Sequence, residues 1–537
     1  MLSRFIILGS IHVCLATLMV GTASAQEAPA TVAADNRFNI NEFRILGNTT
    51  LSAINVETTV FPYLGDNKTI ADVEQVRQLL EKLYKDKGYG AVYEDIPEQS
   101  VDSGVVRLKV TEGKLDRVRI TGARYFANGK IREKLIALTP GTVLNLPELQ
   151  AQLGEVNSQA RDRVITPVLK AGRSPGTVDM ELKVQDNLPF HGSVELNDRY
   201  SANTTKTRAS VNLSYDNLFQ KFHSLSFQYQ TSPTDLKETR VLAATYLAPL
   251  KNGNLLAVYA VDTNSDFAVV STGGDLSVLG AGNIYGLRYI VRLPVVDRYS
   301  QNVTLGADYK NFADNIVLAD GAKDTTPIRY MTWSAAYGGT QTRDSSTTGF
   351  NLGANLGLRG VVNDQAQFSY KRYQGKANFF YMRGDANHTQ SLWGNSAVFL
   401  RATGQYSLEP LISNEQFATG GADGVRGYLE SAQLADSGLS FSLELRSPSL
   451  HQWLGSWAQQ WMLFAFYDAA HMQQIYQRIE NGVAYDSSVK LSSVGAGMRF
   501  AGFSGLEASL DWAYALRPLG EIGKGDSRIH FKVRYAF

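Results

Sequence analysis

The chain has 537 residues, a length that suits about two or three domains, and its 52 basic side chains nearly balance 51 acidic ones. This net charge of +1 argues against a nucleic-acid partner, because proteins that bind nucleic acids carry a basic excess. Glycine (47), tyrosine (26) and phenylalanine (24) are frequent, whereas charged residues make up only 19%. Such a composition, without a long apolar run after the N-terminus, is typical of a β-rich protein and suits a membrane barrel.

The first 25 residues have the pattern of an export signal. Arg4 precedes an apolar run from Phe5 to Val20, and Ala23-Ser24-Ala25 forms a small-residue cleavage site. The apolar run is shorter than the roughly 20 residues of a membrane-spanning helix, so we interpret residues 1–25 as a cleaved signal peptide. The only cysteine, Cys14, lies in this segment, and we therefore expect a mature chain without disulfides or thiolate metal ligands.

Two similar α+β units are predicted next. In the first, residues 38–113, a strand precedes a helix that begins at a capping box of Thr69 and Asp72, and two further strands follow. The second, residues 114–186, repeats the order strand, helix, strand, strand. We interpret both as structural domains without chemistry of their own, whose exposed strand edges are suited to docking an extended peptide.

From residue 190 to residue 537 the pattern changes to short segments in which apolar and polar residues alternate. In the last segment, SRIHFKVRYAF, one face carries Ile529, Phe531, Val533, Tyr535 and Phe537, and the other carries Arg528, His530, Lys532 and Arg534. A soluble β-sandwich would give the same alternation, but the aromatic strand ends and the terminal phenylalanine favour lipid outside and water inside. A region of this length allows about sixteen antiparallel strands of roughly ten residues.

Several stretches together resemble a known family, the two-partner secretion transporters of the ShlB/FhaC/HecB haemolysin secretion and activation type. They are GNTTLS (47–52), YKDKGYGAVYEDIPEQ (84–99), VTEGKLDRVRITG (110–122), YDNLF (215–219), LEPLISNEQFATGGADGVRGY (408–428) and LSSVGAGMRF (491–500). The resemblance implies two POTRA domains, residues 38–113 and 114–186, followed by an outer-membrane β-barrel over residues 190–537. The expected fold class is therefore α+β POTRA repeats followed by an all-β transmembrane barrel of about sixteen antiparallel strands.

The same resemblance implies a function and partners. Periplasmic POTRA strands would bind the extended N-terminal segment of an unfolded client exoprotein, and the barrel in the bacterial outer membrane would translocate that client. The barrel would contact outer-membrane lipid, and the barrel-assembly machinery would recognise a C-terminal signal of Phe531, Val533, Tyr535 and Phe537. No nucleic acid, cofactor or metal is expected as a partner.

Two other functions stay open at this point. A passive porin would explain the barrel but would leave residues 38–186 without a purpose. A barrel-assembly insertase, from the same superfamily, shares the architecture, although its relatives usually carry more POTRA domains.

The glycine-rich stretch QFATGGADGVRGYLE (416–430) is the strongest candidate site. In the family it is the tip of a long loop that folds back into the barrel lumen, where its arginine pairs with an aspartate in a wall motif F-x-D-x-G. An arginine in a confined lumen needs a carboxylate partner, and a bidentate pair also fixes its orientation. The implied latch comprises Gly420, Gly421, Val425, Arg426, Gly427 and Tyr428, with Phe466 and Asp468 on the wall. Ala470 stands where the motif has glycine, which is a departure from the family pattern.

Other expected features are absences. Some members of the family have an N-terminal plug helix, but residues 26–37 are too few for one, so plugging is expected from residues 416–430 or other segments. The seven histidines show no metal-binding spacing, and His191 and His530 are predicted to be lumen or interface residues. GAGNIYG (280–286) departs from a dinucleotide loop and no G-x-S-x-G occurs, so we predict no enzyme activity.

Overall fold

The computed structural model describes residues 37–202, 204–264, 269–270, 277–278, 281–317, 323–476, 479–480, 483–484 and 486–537. The predicted signal peptide, most of the segment considered for a plug, and the first residue of GAGNIYG lie outside these residues. None of the helices in the described ranges is long and apolar enough to cross a membrane. The chain divides into two compact units. One contains the described residues up to Arg117 with Thr139–Pro147 and Ala171–Asp179, and the other contains Val118–Leu138, Glu148–Lys170 and Met180–Phe537.

The described ranges contain the α-helices α1 (Ala53–Val60), α2 (Ile70–Asp86), α3 (Asn128–Glu133), α4 (Leu146–Ser158) and α5 (Gln365–Lys371). Short 3-10 helices cover Phe61–Tyr63, Ile136–Leu138, Trp393–Asn395, Ser413–Glu415 and His451–Trp453.

The strands before the barrel are β1 (Phe38–Ile40), β2 (Glu42–Leu46), β3 (Gly65–Lys68), β4 (Val92–Asp95), β5 (Val105–Glu112), β6 (Lys114–Thr121), β7 (Arg163–Ala171) and β8 (Thr177–Asp186). Those that follow are β9 (Phe190–Asn197), β10 (Arg208–Leu218), β11 (His223–Thr231), β12 (Arg240–Pro249), β13 (Leu255–Asn264), β14 (Val269–Val270), β15 (Ser277–Val278), β16 (Gly282–Val296), β17 (Tyr299–Val317), β18 (Lys323–Thr342), β19 (Ser346–Gly357), β20 (Phe380–Ser391), β21 (Ala397–Ser407), β22 (Phe417–Thr419), β23 (Gln433–Ala435), β24 (Ser437–Arg446), β25 (Ala458–Gln473), β26 (Ile479–Glu480), β27 (Val483–Ala484), β28 (Ser488–Gly502), β29 (Leu506–Ala515) and β30 (Ser527–Ala536).

The first repeat packs a helix on a small sheet, ordered β2-β5-β4, with β1 and β3 paired separately. The predicted capping box is present, because Thr69 and Asp72 bond reciprocally at the start of α2, and the apolar face of α2 is buried. Helix α1 was not predicted. Its sequence, AINVETTV, is short and rich in β-branched residues, and its start depends on the side chain of Ser52, which accepts from the backbone N–H of Asn55.

One turn occurs in both repeats and explains two of the quoted motifs. In the first repeat, Glu112 at the end of β5 accepts hydrogen bonds from the backbone N–H groups of Thr49 and Thr50 at 2.9 and 3.0 Å. In the second repeat, Asp186 at the end of β8 accepts backbone bonds from Arg124, Tyr125 and Phe126 in the same way. In both repeats, therefore, a carboxylate at the end of the last strand holds the turn that follows β2 or β6.

A closed barrel of sixteen antiparallel strands follows, as predicted. The strands β9–β13, β16–β21, β24, β25 and β28–β30 pair in chain order, and β9 closes the ring by pairing with β30. Strands β17 and β18 have 19 and 20 residues, longer than the roughly ten predicted. Their extra length has a physical reason: near the end of this hairpin, Phe312, Ile328 and Tyr330 pack in one cluster with Phe368 of α5 and Leu411.

The two faces of the barrel wall differ as the alternation predicts. The outward residues Ile529, Val533 and Tyr535 of β30 and the terminal Phe537 are 58, 43, 48 and 59% exposed, whereas the inward His530 is 4% exposed. A soluble sandwich would bury its apolar face, but here the apolar face is the exposed one. This arrangement fits a wall surrounded by lipid.

Candidate functional site in the barrel lumen

The candidate site is built on the loop between β21 and β24, residues 408–436, which we call the luminal loop. Its two arms pair as the short antiparallel hairpin of β22 and β23. Residues 420–432, between these arms, form its tip. The tip contacts inward-facing residues of β24, β25, β28 and β30.

Two positions of the tip favour glycine. Gly420 has φ +106°, and a Cβ there would also overlap the carbonyl oxygen of Leu429 at 2.4 Å. Gly427 has φ +92°, although a Cβ there would make only an ordinary contact with Ala513 at 3.4 Å. Side chains rarely adopt such positive φ angles, so the backbone conformation on either side of Arg426 favours glycine at both positions.

Arg426 is 3% exposed and meets the wall through every part of its guanidinium group. Its Nε and Nη2 donate to the two carboxylate oxygens of Asp468 at 2.7 and 2.9 Å, and its backbone N–H donates to the same group at 3.1 Å. The guanidinium carbon lies 3.5 Å from the ring centroid of Phe466, one of the predicted wall residues. A bidentate pair stacked on an aromatic ring is a geometry that arginine can make and lysine cannot.

The structure adds partners that the sequence did not single out. Arg426 Nη1 donates to Glu444 at 3.0 Å, and Nη2 donates to Ser442 at 3.1 Å. Glu444 also accepts from Arg446 at 2.7 Å and from Arg499 at 2.9 Å, and Asp511 lies 3.6 Å from Arg426. The result is a cluster of three arginines and three carboxylates: Arg426, Arg446, Arg499, Glu444, Asp468 and Asp511. We call these six residues the charge cluster. Its opposite charges balance within the barrel wall.

The remaining predicted tip residues form an apolar contact beside the charge cluster. Val425 and Tyr428 are buried in one group with Ala470, Leu491 and Ala515. The Tyr428 hydroxyl donates to the backbone carbonyl of Arg517 at 2.7 Å and also lies 3.1 Å from that of Ser492. Ala470 therefore fits at the position of the motif's glycine, since its methyl group packs against the tip.

The first residues of the tip, among them Gly421 and Asp423, are held by a separate set of contacts. A Cβ on Gly421 would overlap the carboxylate of Glu430, whose Oε1 accepts from the backbone N–H of Ala422 at 3.0 Å. Asp423 pairs with Arg199, just after β9, and its carbonyl accepts from Arg401 of β21.

The base of the luminal loop is held by a second buried ion pair. Glu415 accepts from Lys310 of β17 at 2.6 Å, from the Tyr330 hydroxyl at 2.6 Å and from the Tyr381 hydroxyl at 2.7 Å. Asp436, at the other end of the base, accepts from Arg372 at 2.7 Å. These partners lie on other wall strands and on the segment after α5, so the loop is attached at its base as well as at its tip.

The C-terminal residues close the barrel. Phe531, Val533 and Tyr535 belong to β30, and Phe537 exchanges two backbone hydrogen bonds with Gly192 at 2.9 and 3.0 Å. The ring of Phe537 occupies the space that a side chain on Gly192 would need.

Within the described ranges, one group of residues has the spacing of potential metal ligands: Asp162, His191 and Asp216. Arg161 lies among them, and its Nη2 donates to Asp216 at 2.9 Å, while His191 Nε2 lies 2.9 Å from Asp162. We interpret this group as an ion-pair cluster, because the arginine supplies the positive charge that the carboxylates need.

A closed sixteen-stranded barrel with an apolar outer surface, a loop paired by charge to its inner wall, and α+β repeats before it define a class of protein: an outer-membrane transport barrel with POTRA domains. The comparisons with known proteins agree. Residues 176–500 match the family of haemolysin secretion/activation proteins ShlB/FhaC/HecB, and residues 38–113 match the ShlB-type POTRA domain.

Individual relatives are distant but extend along most of the chain. The chain is similar to the heme/hemopexin transporter protein HuxB of Haemophilus influenzae, with 22% identity over 448 residues, which cover 81% of this chain and 76% of HuxB. It is similar to the outer membrane transporter CdiB of Dickeya dadantii, with 22% identity over 430 residues, which cover 76% of this chain and 72% of CdiB. The solved structure of CdiB from Escherichia coli has the same fold, with a TM-score of 0.59 at 18% identity, covering 95% of this chain and 93% of that one.

The chain belongs to the ShlB/FhaC/HecB family, since the family match extends over more than half of it. It is an outer-membrane transporter of two-partner secretion, a system in which the transporter works with a secreted exoprotein. Its barrel lies in the outer membrane, with the POTRA region in the periplasm. The predictions of family, fold class, function and location are therefore confirmed.

Proposed function

We propose that this transporter binds its exoprotein client in extended form along a POTRA strand edge and passes it through the barrel past the luminal loop. We take residues 38–113 and 114–186 as two POTRA domains and residues 190–537 as the barrel. The observation that supports the proposal most directly is the burial of Arg426 and its pairing with the barrel wall. A buried, bidentate arginine on a glycine-rich tip is a costly arrangement unless the loop has to stay at one defined place in the lumen.

The strand edges of the second POTRA domain differ in their suitability for a client. The sheet has the order β6-β8-β7, so β6 and β7 are its edges. Pro167 interrupts β7, and a proline on an edge strand removes a backbone donor and discourages pairing. The start of β6 is covered, because Leu115 donates to the carbonyl of Thr142 at 2.9 Å. The remainder of β6, residues 116–121, is the edge on which we place the client strand.

Cysteine cross-linking tests this placement in the full chain, because the sequence after Cys14 contains no cysteine. Arg119→Cys introduces a thiol at an exposed position of β6, and Thr166→Cys introduces a matched, exposed thiol on β7. With single cysteines along the client's N-terminal segment, we expect disulfide cross-links to position 119 and few or none to position 166. Equal cross-linking at both positions, or none at 119 while the client is still secreted, would remove β6 as the docking edge.

The other proposed partners act on the barrel. The outward aromatic and aliphatic residues of the wall would contact outer-membrane lipid. The terminal residues Phe531, Val533, Tyr535 and Phe537 would serve as the signal for the barrel-assembly machinery, since they form the outward face of the last strand. We propose no catalytic step, and binding energy and diffusion would move the client.

A further inference from the structure

The tip of the luminal loop has one contact that the charge cluster does not explain. His530, on the inner face of β30, is buried, and its Nε2 lies 3.0 Å from the backbone nitrogen of Gly427. Its Nδ1 lies 3.0 Å from Asp198 Oδ2. Gly427 directly follows Arg426, so His530 contacts the latch at its centre.

The hydrogen-bond partners of His530 determine the roles of its two ring nitrogens. The backbone N–H of Gly427 can only donate, so Nε2 must accept. In the neutral ring the proton then lies on Nδ1, which donates to Asp198. His530 thus joins a donor on the loop to an acceptor on the wall, through two nitrogens that have different roles.

Asp198 lies where the barrel closes. We call the pairing of β9 with β30 the seam. It extends over Ser193–Asn197 and Lys532–Ala536, five register pairs, whereas β29 and β30 form nine. Immediately after β9, the carboxylate of Asp198 accepts from the backbone N–H of Phe531 at 2.8 Å, and its own N–H donates to the Phe531 carbonyl at 3.3 Å. Asp198 therefore extends this short seam by one side-chain and one backbone hydrogen bond.

We propose that His530 is a positioning residue of the transporter, which holds Gly427 and the latch through Nε2 and bonds Asp198 at the seam through Nδ1. This inference rests on the proposed role of the latch. It follows that the loop tip cannot leave the wall without breaking the bond to His530, and that the bond to Asp198 stabilises the seam. One side chain thus serves the latch with one ring nitrogen and the seam with the other.

Two substitutions separate the two hydrogen bonds of His530. The amide of His530→Asn reaches about as far as Nδ1, so it keeps a donor for Asp198 and loses the acceptor for Gly427. The amide of His530→Gln reaches about as far as Nε2, so it keeps an acceptor for Gly427 and loses the donor for Asp198. Two readouts are needed in the full-length protein: client secreted per folded barrel, and the temperature at which the folded barrel unfolds in SDS.

We expect each variant to change a different one of the two readouts. His530→Asn should reduce secretion roughly three- to tenfold, the effect of losing one hydrogen bond, with little change in the unfolding temperature. His530→Gln should secrete close to the parent level but unfold at a lower temperature. If both variants secrete like the parent, the contact with Gly427 has no role. If both lose secretion and unfolding temperature together, His530 only fills space, and the inference is wrong.

Arg426→Ala, measured in parallel, separates this inference from the latch on which it rests. Secretion at the parent level by Arg426→Ala would reject the latch and His530's role with it. Loss of secretion by Arg426→Ala, with normal secretion by His530→Asn, would reject only the role of His530.

Discussion

At the scale of single residues, the luminal loop needs the arginine side chain at position 426 and not only its positive charge. Its guanidinium group bonds both oxygens of Asp468, reaches Glu444 and stacks on Phe466. A lysine ammonium would keep the charge but could not make these contacts at once, because it is a single point of charge on a flexible stem.

We therefore expect Arg426→Lys to reduce secretion roughly tenfold or more, close to the effect of Arg426→Ala. The measurement is client in the medium, normalised to heat-modifiable folded barrel in the outer membrane. Arg298→Lys is the matched control, because Arg298 and its partner Asp344 are both exposed and form a surface pair of little energetic weight. Normal secretion by Arg426→Lys would mean that only the charge is needed.

The residues of the site were predictable to different degrees. Arg426 and Asp468 belong to long, specific motifs, and the structure places them in contact. Glu444 and His530 were not identified as partners, because many inward positions of the barrel strands are polar and the alternation does not say which polar residues meet. That information lies in the register between neighbouring strands, such as Ser442 opposite Asp468 and Asp511 opposite His530.

At the scale of elements, the turn of the POTRA domain at residues 38–113 depends on a buried carboxylate, Glu112. Burial acts to raise the pKa of Glu112, but hydrogen bonds from Thr49, Thr50 and Tyr84 outweigh it and hold the pKa below its ordinary value. A carboxyl whose pKa is lowered on folding stabilises the fold above its unfolded pKa, and this stabilisation is lost as the pH falls through the folded pKa.

Glu112→Gln should remove this stabilisation at neutral pH. We expect a loss of about 1–3 kcal/mol in local stability and faster hydrogen exchange at the amides of Thr49 and Thr50. Glu57→Gln, at an exposed position of α1, is the control and should leave exchange unchanged. In the parent, exchange at these amides, corrected for its intrinsic pH dependence, should increase when the pH falls below the ordinary range of a glutamate. Unchanged protection in Glu112→Gln would show that water replaces the carboxylate at no cost.

The base of the luminal loop offers a test of buried charge. Glu415 and Lys310 are nearly inaccessible to solvent, so Glu415→Gln leaves a buried ammonium without its counter-charge. We expect this variant to lose about 3–5 kcal/mol and to unfold at a lower temperature in SDS. Glu415→Gln combined with Lys310→Met should lose less than Glu415→Gln alone, because neither charge remains.

The pair of exposed Lys376 with half-buried Glu409 provides the comparison, because it is far more accessible than the pair of Lys310 with Glu415, and Glu409→Gln should have a smaller effect. If the combined variant is the less stable one, the pair is not what holds the base of the loop.

At the scale of the whole molecule, the sequence was most informative where one physical rule governs many residues. Lipid outside and a polar lumen inside impose the same alternation on all sixteen strands, so the barrel followed from the pattern. Helix α2 followed from its apolar face and capping box. Helix α1 and the length of the β17–β18 hairpin were not predicted, because each depends on local contacts. Helix α1 depends on a side-chain cap, and the hairpin packs against α5 and Leu411.

The charge cluster also predicts how substitutions combine. Arg426→Ala leaves two arginines with three carboxylates, and Asp468→Ala leaves three arginines with two. The double variant leaves two of each, so its charges balance again. Losses from the two single substitutions should therefore not add.

The most direct test of the luminal latch is client secretion by these three variants, each normalised to folded barrel in the outer membrane. We expect Arg426→Ala and Asp468→Ala each to secrete poorly while their barrels still insert, because the strands and the terminal Phe537 are intact. The double variant should secrete no less than the weaker of the two single variants. Losses that add strictly on a logarithmic scale would show that Arg426 and Asp468 act independently, and would contradict a latch formed by their pairing.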